Sequence, residues 1–107
     1  MVREQQIGVA WVNYVHERFG LLPNSKASHR QRTLVLAMPM SGVVPREDLE
    51  GLTPKIAKLY ASTGPRTLSR DLNRLEKLGL IRQSGDSYAT RARIVQAFLP
   101  PMAAVES

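Results

Sequence analysis

No cysteine occurs among the 107 residues, which removes disulfides, thiolate nucleophiles and thiolate metal sites together. A run of about 18 apolar residues is also missing, so no segment is expected to span a membrane. The first ten residues, MVREQQIGVA, carry charged and amide groups where a signal peptide needs an apolar stretch. A cytoplasmic location is the expectation. Gly20, Gly42, Gly51 and Gly64 stand alone, so no glycine-rich phosphate loop is present. His16 lacks the second histidine of a zinc-protease motif, and no other ligand set gathers around His29, so no metal or cofactor is expected. Glu47, Asp48 and Glu50 suit the first turn of a short helix, where carboxylates complement the dipole, better than an acid–base pair. Neither an enzyme nor a small-molecule effector pocket is indicated.

Acid is scarce where base is plentiful. The chain holds 15 Lys and Arg against 9 Asp and Glu, a formal net charge of +6. Residues 1–52 carry six basic and five acidic groups, whereas residues 53–93 carry nine basic and three acidic ones. An excess concentrated in one segment is the footprint of a surface that faces a polyanion.

The length suits a single domain, 1–107. Ile7, Ala10, Trp11, Tyr14 and Val15 recur at helical spacing and predict a helix over 3–19. Gly20, Pro23 and Asn24 break it. Ser28 with Gln31 reads as a capping box that opens a helix over 28–38, closed by Pro39. A short extended piece and a brief helix ending at Gly51 follow. Thr53-Pro54 caps a helix to Ala61, and Pro65 restarts one that ends near Leu78 with Gly79 as its left-handed stop. LIRQSGDSYAT then predicts a strand, a turn at Ser84-Gly85-Asp86 and a second strand. Thr90 caps a last helix over 91–99, which Pro100-Pro101 stops.

The stretch TGPRTLSRDLNRLEKLGLI sorts its residues by side. At 100° per residue, Leu68, Leu72 and Leu75 share one side, while Arg66, Arg70, Asn73 and Lys77 share the other. Ser69 and Arg74 lie at the margins, and the acids Asp71 and Glu76 fall on the flanks. A face of one sign that carries Arg, Asn, Ser and Thr has the donors to grip phosphates and read base edges.

These residues resemble the winged helix-turn-helix family of DNA-binding regulators, such as its MarR-like and DeoR-like groups. The resemblance rests on TLSRDLNRLEKLGLI and covers about residues 28–90. It implies a mostly α fold, a three-helix core with a two-stranded wing, and extra helices at each end. It also implies double-stranded DNA as partner, with Arg66, Thr67, Ser69, Arg70, Asn73, Arg74 and Lys77 near the major groove. Arg82 and the tip Ser84-Gly85-Asp86 would approach the neighbouring backbone or minor groove, and Arg30 a phosphate. Asp86 departs from the pattern, because many wings place a cation there. A repressor-like regulator on the nucleoid is the expected role; a replication or partition protein of a mobile element shares the motif. A protein-interaction module would place apolar or acidic groups among the arginines.

The two ends remain. Trp11, Tyr14, Val15 and Phe19, with Ile94, Val95, Phe98 and Leu99, exceed what a core closed by Leu34, Ile56, Leu68, Leu72 and Leu75 needs. A homodimer interface built from these eight is the expectation.

Overall fold

The computed structural model describes residues 2–98. Helix α1 (Val2–Gly20) buries Ile7, Trp11, Val15 and Phe19, four residues apart, as one stripe. The stripe packs on helix α2 (Lys26–Ala37) and on a 3-10 helix at Ala92–Phe98. Trp11 is 2% exposed, Val15 0% and Val95 1%, all within one chain. Where a second copy was expected to cover these residues, α1 and the 3-10 helix cover each other within the chain. Tyr14 and Ile94 are half-buried in the same packing. Leu99 and the side chain of Phe98 lie outside the described residues.

Helix α2 starts earlier than the capping-box pattern suggests. Ser25 is the cap, its Oγ accepting from the Ser28 N–H at 3.1 Å, and Gln31 is drawn inward instead of back to the helix start. Met38 ends the helix in an extended conformation (ψ 144°), as a residue before proline prefers.

Strand β1 (Val44–Pro45) and helix α3 (Arg46–Leu49) lead to helix α4 (Pro54–Ala61), where the Thr53 hydroxyl accepts from the Ile56 N–H at 3.1 Å. A three-residue turn joins α4 to helix α5 (Pro65–Lys77). The end of α5 is a Schellman motif. The Leu80 N–H donates to Leu75 O and the Gly79 N–H to Glu76 O, each at 3.0 Å, with Gly79 at φ +77°. Buried Leu80 closes it over Leu75. From α1, Arg18 Nη2 donates to the Leu78 carbonyl at 2.8 Å, placing a cation at the negative end of the helix dipole.

Strands β2 (Ile81–Ser84) and β3 (Ser87–Thr90) form a hairpin, and β1 pairs with β3 to give an antiparallel sheet ordered β1-β3-β2. Gly85, at φ +61°, supplies the positive φ required at the first position of a two-residue turn. The last helix is 3-10, not α; the Thr90 hydroxyl accepts from the Ala92 N–H at 3.4 Å at its start. Leu34, Ile56, Leu68, Leu72 and Leu75 are all buried, joined by Leu49, Leu80, Ile81 and Tyr88. The fold is mostly helical with a small three-stranded sheet.

Candidate nucleic-acid interface

Helix α5 presents two chemically distinct sides. Leu68, Leu72 and Leu75 face the core, while Arg66, Arg70, Asn73, Arg74 and Lys77 are exposed. Thr67 and Ser69 are half-buried at the boundaries. Among the described residues, none of the four cations on this helix pairs with a carboxylate. Each therefore keeps its full donor capacity for a ligand.

Asp71 does not lie on a solvated flank. It is 1% exposed and accepts four hydrogen bonds from two other helices. Arg30 Nε reaches Oδ2 at 2.6 Å and Arg30 Nη2 reaches Oδ1 at 3.0 Å. Gln31 Nε2 donates to Oδ1 at 3.0 Å, and the Tyr60 hydroxyl donates to Oδ2 at 2.6 Å. The Arg30 guanidinium also lies 5.8 Å from the Tyr60 ring centre. A buried carboxylate is tolerated only when its lone pairs are filled and its charge is balanced, and here both hold. The hydrogen bond to Asp71 raises the Arg30 pKa against the opposing effect of burial. Burial first, and then the bond to Asp71, hold the Tyr60 hydroxyl well above the ordinary phenol range. The network fastens α5 to α2 and α4 at mid-helix.

This arrangement alters two expectations. Arg30 is 18% exposed and its fork engages Asp71, so it is not a free phosphate cation. Conversely, burying Asp71 leaves Glu76 as the exposed acid of α5, so the outward side is more basic than the sequence suggests. A signal was present: Asp71 stands three residues after Leu68 and four before Leu75, the spacing of a core position. Its charge masks that spacing.

Arg46 was not singled out by its sequence context, yet it joins α5 to the hairpin. Its Nη2 donates to the Ser69 hydroxyl, and its backbone N–H donates to the Asp86 carbonyl at 2.9 Å. Ser69 is thus oriented from within the chain. Ser84 and Gly85 are exposed at the hairpin tip, where Gln83 Nε2 donates to Gly85 O at 3.0 Å. Lys26 and His29, at the start of α2, line a cleft with Ser62 and Thr63 from the α4–α5 turn. Arg82 is exposed on β2, on the same sheet position as Ala89 of β3.

No protein-family model, curated protein or solved structure matches this chain. No helix among the described residues is long and apolar enough to cross a membrane.

Proposed function

We propose that this chain is a winged helix-turn-helix protein that binds double-stranded DNA with sequence preference and acts as a regulator. In this reading α4, the turn at 62–64 and α5 are the helix-turn-helix, and the β2–β3 hairpin is the wing. The observation that carries it is the outward side of α5: Arg66, Arg70, Asn73, Arg74 and Lys77 exposed, with Asp71 withdrawn into the core. Four like charges on one helix repel one another, and a polyanion offsets that repulsion. Phosphate neutralisation supplies affinity, while Arg66, Arg70 and Asn73 read base edges. With Trp11, Val15, Phe19 and Val95 buried in their own chain, a homodimer on DNA would need another surface.

Fluorescence anisotropy with a labelled mixed-sequence duplex at 50 and 200 mM salt tests the binding. Affinity should fall steeply with salt, and selection from a random duplex pool should enrich one motif. Absence of binding at the lower salt would rule the reading out.

A further inference from the structure

The two ends of the β2–β3 hairpin carry opposite charge. At the tip, a cleft is lined by Pro45, Arg46, Glu47, Glu50, Leu68 and Asp86. Its three carboxylates are exposed, and its one arginine is engaged with Ser69. At the root, a second cleft gathers Arg82, Arg91 and Arg93 over a floor that includes Met40, Ala89 and Ile94, with no acid in its lining. The three arginines are exposed, and none has a hydrogen-bond or ion-pair partner through its side chain among the described residues.

The root also adjoins α5. The Arg91 N–H donates to the Leu80 carbonyl at 2.9 Å, and the Arg91 Nη1 lies 3.7 Å from where a Cβ on Gly79 would stand. Gly79 is two residues beyond Lys77, the last cation of α5. Cations thus stand on both sides of Gly79, Lys77 in the last turn of α5 and Arg91 at the hairpin root, with exposed Glu76 beside Lys77. Root and tip are about 10 Å apart along four-residue strands rising about 3.3 Å per residue. Arg91, one residue past the strand end, is therefore farther from the tip than the Debye length of about 8 Å at physiological salt, whereas Arg82, two residues from Ser84, lies within it.

We propose that the phosphate backbone of the bound duplex is held at the root of the hairpin, by Arg82, Arg91 and Arg93, and not at its tip. The proposal rests on the DNA-binding reading above. It assigns Arg91 and Arg93 a role that the strand pattern alone does not reveal, and it removes Ser84 and Gly85 from the contact surface. A phosphate track beside Glu47, Glu50 and Asp86 would meet like charge, whereas at the root it meets three unpaired guanidinium groups.

The test compares three variants with the wild type, each measured by anisotropy on the same duplex across a salt series. Arg82→Ala, Arg91→Ala and Arg93→Ala together should make the slope of log K against log salt shallower by about 2.7, or about 0.9 for each lost phosphate contact. Matched and unmatched sequences should weaken alike. The corresponding triple lysine variant should keep the wild-type slope, because the contact needs charge more than geometry. Ser84→Glu should weaken binding far less than the triple alanine variant, because it removes no phosphate contact. Circular dichroism checks that all three variants fold. A wild type that binds while the alanine variant keeps its slope overturns this proposal alone, as does a loss from Ser84→Glu matching that of the triple variant. A wild type that binds no duplex at low salt overturns the DNA reading and this proposal with it.

Discussion

The two sides of α5 treat charge in opposite ways. On the inner side one carboxylate, Asp71, is removed from water and its hydrogen-bonding capacity is filled by Arg30, Gln31 and Tyr60. On the outer side Arg66, Arg70, Arg74 and Lys77 stay in water and are paired with no carboxylate among the described residues. A charge inside must be satisfied because desolvation is expensive, while a charge outside is tolerated alone because water screens it. Unpaired outer charges are thus the ones free to meet a ligand, and the paired inner charge fixes where they point.

Truncation of buried residues, in α1 or on the inner side of α5, should have the largest effect. Trp11→Ala should lower stability by about 3–5 kcal/mol, read from urea unfolding, with a midpoint independent of protein concentration. A midpoint that moves with concentration would mean that α1 buries its stripe against a second copy after all. Asp71→Ala should cost about 3–5 kcal/mol, since Arg30 and Tyr60 lose their common acceptor. Replacing Asp71 and Arg30 together with leucine and methionine should recover only part of that loss, because the Tyr60 hydroxyl and the Gln31 amide stay without their acceptor. If the double replacement is no better than Asp71→Ala, the pair contributes through packing and not through charge balance.

Outer-side changes should leave the fold alone. Arg66→Ala and Arg70→Ala should each shift stability by under about 0.5 kcal/mol. Each should nevertheless remove about 1–3 kcal/mol of discrimination between matched and unmatched duplexes. Unchanged preference in both variants would move base reading off this side of the helix.

The smallest effect concerns pH. The Tyr60 hydroxyl has a raised pKa in the folded chain, so the folded state holds its proton after the unfolded chain releases it. Its contribution is fully present below the unfolded value near 10 and declines as pH rises above that value. The decline should be about 1 kcal/mol in urea unfolding between pH 10 and 11. Tyr60→Phe, less stable at neutral pH for want of one hydrogen bond to Asp71, should lack this part of the slope. Identical slopes in both proteins would mean that the Tyr60 hydroxyl titrates normally.

Much of the architecture is legible because its signals are local. Thr53-Pro54 caps α4, Gly79 stops α5 and Ser-Gly-Asp-Ser turns the hairpin, each through backbone geometry within a few residues. The capping box at Ser28 pointed to a later start for α2 than Ser25 provides, because Gln31 turns its amide to Asp71 forty residues away. The apolar stripe of α1 is equally plain in the sequence. Periodicity shows that a helix face is buried but not against what, which is why a dimer was expected where the 3-10 helix supplies the cover.

By itself, then, the sequence determined that α5 has a leucine side and an arginine side, because 100° per residue is a property of any helix. Only the tertiary structure decided which charges remain available. Arg30 and Asp71 are 41 positions apart, and whether they meet depends on how α2 crosses α5. That crossing is set by side-chain packing across the core, which no local pattern encodes. The same packing brings Arg91 beside Gly79 and Arg46 beside Ser69.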